Sequence, residues 1–138
     1  MIGSGEVLYQ MVYIDDLVDG ILRCGTMEQA AGNIYILTGD RPVTLNRLVG
    51  MIADAVGVEP PRLHFPVGPI YVAGQLCELA CSPLGIRPPL YRRRVDFFRK
   101  NRAFSIEKAR VELGFGPQVG LQEGLRITAD WYVDQGLL

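Results

Sequence analysis

The sequence predicts a mixed α/β fold in which helix dominates. Apolar residues recur at the 3.6-residue helical period over 45–56 and 121–132. β-forming residues concentrate in two short runs, 7–14 and 33–38, and proline and glycine punctuate most of what lies between. A length of 138 residues is the size of one domain, so a single unit over 1–138 is expected. The content of 49% apolar and 21% charged residues is that of an ordinary globule, which excludes disorder and fibrous repeats. The longest uncharged run, Leu63 to Cys77, is broken by Pro66 and Pro69 and is too short to span a bilayer. No basic leader precedes an apolar segment, so the expected place is the cytoplasm.

Gly3-Ser4-Gly5 is turn material, and Val7 to Ile14 reads as a strand that Asp15-Asp16 stops while capping a helix. Leu17, Val18, Ile21 and Leu22 make the inward stripe of that helix, which Gly25 or Gly32 ends. Asn33 to Thr38, apolar on both faces, reads as a buried strand. Thr44 then caps the clearest helix, with Leu45, Leu48, Val49, Ile52, Ala53 and Val56 inward and Gly57 as its stop. Arg62 to Phe65 is a short extended piece. Pro69 suits the first turn of a helix to about Ser82 that buries Ile70, Ala73, Leu76, Cys77 and Ala80. A proline-rich connector leads to a helix carrying Tyr91, Val95 and Phe98 on one side. Ser105 caps a short helix ending at Gly114, and Leu121, Leu125, Ala129 and Tyr132 line a last helix closed by Gly136.

Chemistry is sparse. Asp15-Asp16-Leu17-Val18-Asp19 has the spacing of a magnesium-diphosphate motif, but at a helix start carboxylates are favoured by the macrodipole alone, and capping is the better reading. No G-x-G-x-x-G fingerprint or P-loop is present. His64 is the only histidine and lies in an apolar extended piece, so a structural role is expected for it. Cys24, Cys77 and Cys81 are an odd set. Cys77 and Cys81 share a helix face, but with one distant histidine they make a poor zinc set, so no metal is expected and the thiols read as small apolar side chains. The window 87–110 holds nine basic residues against Asp96 and Glu107, a net +7 that leaves −8 on the remainder. Such a patch attracts phosphate, but the overall charge of −1 argues against a dedicated nucleic-acid binder.

Two stretches, Met11 to Gly20 (M-V-Y-I-D-D-L-V-D-G) and Phe104 to Pro117 (F-S-I-E-K-A-R-V-E-L-G-F-G-P), together resemble segments of the extended short-chain dehydrogenases/reductases, the NAD(P)-dependent epimerase/dehydratase family. Gly32 to Gly39, Val43 to Gly57 and Leu121 to Tyr132 resemble the strand and helices that accompany them, so the resemblance covers nearly the whole chain. It implies the C-terminal, substrate-binding portion of a Rossmann-type protein, with 34–38 as the last strand of the large sheet. The family's glycine fingerprint and its Tyr-x-x-x-Lys pair are not in this sequence. Asp96 and Phe104 stand four before Lys100 and Lys108, the only lysines. The resemblance therefore implies no catalytic residue here and no NAD or NADP bound by this chain alone, the cofactor belonging to an N-terminal half.

In the nucleotide-sugar branch of the family an arginine that binds the substrate diphosphate falls where this chain has Tyr9, and a second falls at Arg93 or Arg94. The substrate-binding set implied is Tyr9, Tyr13, Arg93, Arg94, Arg99 and Arg102, for a nucleotide-sugar or another small molecule. Residues 63–90 look more like relatives of dihydroflavonol reductase and 3β-hydroxysteroid dehydrogenase, whose substrates carry less charge. Two further readings are a non-enzymatic module gripping an anionic polymer through its arginines, and self-association through apolar surface at 34–38.

Overall fold

A computed structural model describes residues 1, 3–81, 85 and 100–138. The elements are β1 (Leu8–Tyr9), α1 (Ile14–Thr26), a 3-10 turn (Glu28–Ala30), β2 (Val43–Thr44), α2 (Leu45–Val56), α3 (Val67–Cys81), α4 (Glu107–Leu113) and α5 (Leu121–Asp134). The mostly helical α/β composition is as the sequence implied. The expected helix through Tyr91, Val95 and Phe98 lies outside the described residues.

Among the described residues sheet is confined to one short antiparallel pair, with Leu8 opposite Thr44 and Tyr9 opposite Val43. The strand expected over 7–14 is thus two residues long, because the chain turns into α1 at Ile14. Residues 33–39 form no ladder, a correction to the buried strand expected there. Their side chains nonetheless alternate: Tyr35 and Leu37 pack on a core cluster while Ile34 is 86% exposed and Ile36 is exposed beside it. Period-2 alternation with one face in water is the signature of a strand; a ladder needs a neighbouring strand, and the described residues supply none.

The helix α2 follows the sequence closely. The Thr44 hydroxyl accepts the Arg47 N–H at 3.3 Å, and Gly57 adopts φ 70° at the C-terminus. The amide of Val58 donates to Ala53 O and that of Gly57 to Asp54 O, the reciprocal pair of a Schellman stop. Leu45, Leu48 and Ala53 are buried, but Ile52 and Val56 are exposed, so the stripe is narrower than predicted.

In α1 the expected orientation is reversed. Asp16 and Gly20 are buried, whereas Val18, Ile21 and Leu22, with Ile14, face solvent. The residue preceding the helix is Tyr13, not an aspartate, and its side chain makes no cap. Gly20 is turned inward because nothing larger fits: a Cβ there would lie 2.9 Å from the Phe115 ring and 3.0 Å from Leu37 Cδ1. Arg23, on the same side, donates from Nη1 to Leu113 O and Gly114 O, both at 3.1 Å, placing a cation on the C-terminal carbonyls of α4.

Among the described residues two core clusters result. One joins Ala30, Ile106, Ala109, Leu113 and Phe115, with Cys24 and Met27 of the α1 side against it. The other joins Tyr9, Leu45 and Leu48, with Leu121 and Leu125 of α5 against it. The Ser105 hydroxyl accepts the Glu107 N–H at 3.3 Å, though Ile106 is the residue at the N-cap of α4. In α3 the predicted inward stripe is not buried: Ala73 and Leu76 are exposed, Ile70 and Cys77 half-buried, and none of the described elements packs against the helix. In α5 Ala129 is buried as expected, Leu121 and Leu125 are half-buried, and Tyr132 is exposed.

Candidate functional site

The segment 8–13 between β1 and α1 is the hub. Tyr9 is 4% exposed, and its hydroxyl accepts from Arg102 Nη1 at 3.3 Å, while the guanidinium carbon lies 5.4 Å from the ring centroid. Burial pushes the Tyr9 hydroxyl pKa up, against the opposing pull of the Arg102 charge and hydrogen bond. Arg102 reaches this place because the chain at 101–104 runs alongside β1. Arg102 N donates to Leu8 O at 2.7 Å, Leu8 N donates to Asn101 Oδ1 at 3.0 Å, and Phe104 N donates to Gln10 Oε1 at 2.8 Å.

Gln10 is a functional-looking clamp that the sequence did not single out. Its side-chain amide also donates to Gly39 O, and its backbone oxygen accepts the Thr38 hydroxyl at 2.9 Å. One residue thereby ties together β1, the end of the 33–39 segment and residue 104. Gly39 permits this closeness, since a Cβ there would lie 1.9 Å from the Met11 carbonyl oxygen.

Tyr13, further along the same extended segment, sits in a different setting. Its ring covers Gly124, where a Cβ would lie 3.1 Å from Tyr13 Cδ2. With Met11, Leu121, Leu125 and Thr128 it lines a cavity of about 360 Å³ whose walls are largely apolar. Leu121 and Leu125 also pack on the Tyr9 cluster. The structure thus brings Tyr9 and Arg102 together and puts Tyr13 on a neighbouring apolar cavity that shares those two leucines. Arg93, Arg94 and Arg99 lie outside the described residues. A second opening of about 550 Å³ is lined by Arg41, Arg47, Met51 and the start of α5.

The aspartate motif is committed elsewhere. Both Asp16 carboxylate oxygens are taken by backbone amides, Gln118 N and Val119 N, each at 3.0 Å. Asp19 pairs with Arg23 at 2.7 Å. Among the described residues no group of three or more histidine, cysteine or acidic side chains is placed to hold a metal ion. His64 faces solvent and contacts Asn46 Oδ1 at 3.3 Å through Nε2.

The 33–40 segment is held from the outside by α4. Arg110 pairs with Asp40 at 2.7 Å, Lys108 donates to Asn33 Oδ1 at 2.9 Å, and the Tyr35 hydroxyl donates to Glu112 Oε2 at 2.6 Å. That hydrogen bond to a carboxylate, with burial and the Glu112 charge adding to it, pushes the Tyr35 pKa up to about 12 from 10.0. Protonated Tyr35 is thus favoured by the fold. Its stabilising effect is complete below pH 10 and disappears as pH climbs through about 12. In an ultraviolet titration the Glu112→Gln variant should bring the Tyr35 transition back towards the ordinary tyrosine value; an unchanged transition would contradict this origin.

The strand-to-helix junctions do not fit a dinucleotide cradle. They run Tyr13–Ile14 and Thr44–Leu45 without glycine, and the strand pair among the described residues is antiparallel. A cradle of that kind needs a glycine turn between a parallel strand and its helix so that the pyrophosphate meets the helix N-terminus.

The mostly helical unit with its short antiparallel pair matches the C-terminal portions of Rossmann-type epimerases and dehydratases when compared with known proteins. The chain is 30% identical over 142 residues to 3beta-hydroxysteroid-dehydrogenase/decarboxylase isoform 1 of Arabidopsis thaliana, covering 94% of this chain and 32% of that protein. The crystal structure of gox2253 superposes with a TM-score of 0.72 at 25% identity, over 100% of this chain and 40% of that one. UDP-glucuronic acid 4-epimerase of Bacillus cereus, solved with UDP-glucuronic acid and NAD, gives a TM-score of 0.63 at 18% identity, over 98% of this chain and 34% of that one. No family model matches the chain. Over its full length it matches the C-terminal part of extended short-chain dehydrogenases/reductases, the NAD(P)-dependent epimerases/dehydratases and their relatives. It spans about a third of the length of the Arabidopsis protein.

Proposed function

We propose that this chain is the substrate-recognising part of an NAD(P)-dependent oxidoreductase, a single unit over 1–138 that acts together with a dinucleotide-binding half and is inactive and free of cofactor alone. The observation that carries the reading is the reversed helix α1. Its aliphatic stripe of Ile14, Val18, Ile21 and Leu22 faces outward, next in the fold to the unladdered segment 33–39. A helix with a dry face and a strand without a neighbour are what a chain presents when a sheet from elsewhere completes it. Until that surface is covered it also favours self-association.

The substrate class supported best is the weakly charged one of the 3β-hydroxysteroid dehydrogenase and dihydroflavonol reductase type. Tyr9, at the place of the diphosphate-binding arginine, is buried and engaged by Arg102, and the cavity beside Tyr13 is walled by Met11, Leu121 and Leu125. A nucleotide-sugar is the second reading, favoured by the guanidinium of Arg102 at the same hub and by the basic run Arg92–Arg94 with Arg99 in the sequence. In this reading Arg93, Arg94, Arg99 and Arg102 grip the diphosphate while Tyr9 and Tyr13 flank it.

Calorimetry on the isolated chain tests the division of labour. NAD and NADP should bind no better than millimolar, and micromolar binding of either would overturn it. In the same samples light scattering should report a dimer or larger species. For the substrate, a 3β-hydroxysteroid should perturb the Tyr13 and Met11 resonances at concentrations where UDP-glucose does not; the reverse order would favour the second reading.

A further inference from the structure

Gln10 is the polar side chain at the hub to which neither reading of the substrate gives a task. It is half-buried in the stretch between β1 and α1. Its Nε2 donates to Gly39 O, and its Oε1 accepts from Phe104 N at 2.8 Å. Gly39 O can only accept and Phe104 N can only donate, so one orientation of a neutral amide satisfies both. The backbone oxygen of Gln10 is already taken by the Thr38 hydroxyl at 2.9 Å. The side chain therefore does for Phe104 what a strand carbonyl would do, two residues beyond the point where Leu8 O accepts Arg102 N at 2.7 Å.

Arg102 is thus bracketed. Bonds at its own amide and at that of residue 104 fix the backbone from which its side chain leaves. A long side chain with many rotamers keeps one geometry only where its base is held. From that base Arg102 Nη1 donates to the Tyr9 hydroxyl at 3.3 Å, and the guanidinium carbon stands 5.4 Å from the ring centroid. We infer that Gln10 is a positioning residue: by tying Phe104 to Gly39 it fixes Arg102 over Tyr9 and so sets where the cation of the hub stands. Since the other end of the amide is bonded to Gly39, that cation is held in register with the segment 33–39. The inference deepens the function proposed above and rests on its reading of the hub as part of the substrate site.

The experiment is NMR of the intact chain without ligand, read at the Arg102 side chain. Its Hε resonance is displaced by the Tyr9 ring current from the value in the unfolded chain. Gln10→Met keeps the volume and removes both hydrogen bonds of the amide, and more than half of that displacement should be lost. Thr38→Val removes a neighbouring bond to the same residue's backbone and should leave the displacement in place, which separates positioning from general loosening. Gln10→Glu is the rescue. Protonated, below about pH 4, its carboxyl again offers a donor and an acceptor, and the resonance should match that of the natural chain at the same pH. Ionised, it has no donor for Gly39 O, and the match should be lost at neutral pH.

Alkaline titration gives a second readout. Arg102 pulls the Tyr9 pKa down against burial, so Gln10→Met should move the Tyr9 transition up, in the direction of Arg102→Gln. In the double variant it should add nothing to the Arg102→Gln shift. An unaltered Arg102 resonance in Gln10→Met would overturn the inference, as would equal losses in Gln10→Met and Thr38→Val. If Gln10→Met does not fold, Gln10→Glu carries the decision, and an Arg102 resonance indifferent to its ionisation overturns the inference. None of these readouts involves a substrate. Arg102 resonances that neither UDP-glucose nor a 3β-hydroxysteroid moves would sink the reading of the hub as a substrate site, while the spectra without ligand still decide the role of Gln10.

Discussion

Replacing Phe115 with alanine is expected to cost about 3–5 kcal/mol, a large share of the about 5–15 kcal/mol by which a domain is stable at ambient temperature. The side chain is 1% exposed and sits between Ile106, Ala109 and Leu113 on one side and Gly20 of α1 on the other. Its place is fixed by the preceding residue: Gly114 takes φ 63°, which reverses the chain after α4 and aims residue 115 back into the cluster. The ring fills the space that Gly20 leaves open, so truncation opens a cavity that no neighbouring side chain can fill. Urea denaturation checks the magnitude. Phe115→Leu should recover more than half of the loss, and a cost below about 1 kcal/mol for the alanine variant would place it with ordinary surface substitutions.

The second large effect is at Asp16. Alanine there strands two backbone amides, Gln118 N and Val119 N, that the carboxylate accepts at 3.0 Å each. Charge-assisted bonds of this kind, lost with their donors still enclosed, cost about 3 kcal/mol together. Asp16→Asn keeps one acceptor oxygen and should lose about half as much. The local readout is hydrogen exchange: the amides of 118 and 119 should lose protection in both variants, more so with alanine. Exchange that stays slow at both would show that the loop before α5 is held by something else. Since Val119, Gly120 and Leu121 line the cavity beside Tyr13, the same substitution should also loosen ligand binding there.

These two residues show how far the sequence could be read. The stretches around Asp16 and Phe115 are the two that resemble the dehydrogenase family, and the structure joins them, through the carboxylate on the 118–119 amides and through the ring against Gly20. The order of the motifs was legible; the contact between them was not, because residues about a hundred apart carry no shared periodicity. Helix α2 could be read almost entirely from Thr44 and Gly57, since its start and stop are local events of capping and left-handed backbone. The direction α1 faces could not. Periodicity reports which residues share a side, and the natural inference is that the aliphatic side goes in. Here an aspartate, a glycine and an arginine stem turn inward instead, and the aliphatic residues turn out. Likewise 33–38 has the residues of a strand, but a ladder is a property of two segments.

Of the candidate site, Tyr9 was legible through its position relative to the strand-to-helix motif. Its partner Arg102 was one of nine basic residues in a window, with nothing local to mark it as the one that stacks on the ring. Gln10 went unnoticed for a related reason. An amide side chain between aliphatic and aromatic neighbours has no pattern, and its role emerges only when Gly39, Thr38 and Phe104 arrive from elsewhere in the chain.

The outward row on α1 has a practical corollary for anyone handling the molecule. Aliphatic side chains standing in water raise the chemical potential of the dissolved species, and excluded salts such as sulfate raise it further. Recovery from cells should therefore depend on what else is expressed alongside, with mild surfactant or low concentration substituting for a natural covering. In the reading proposed above, α1 is one side of a mortise joint, cut to a shape whose counterpart decides whether the timber stands.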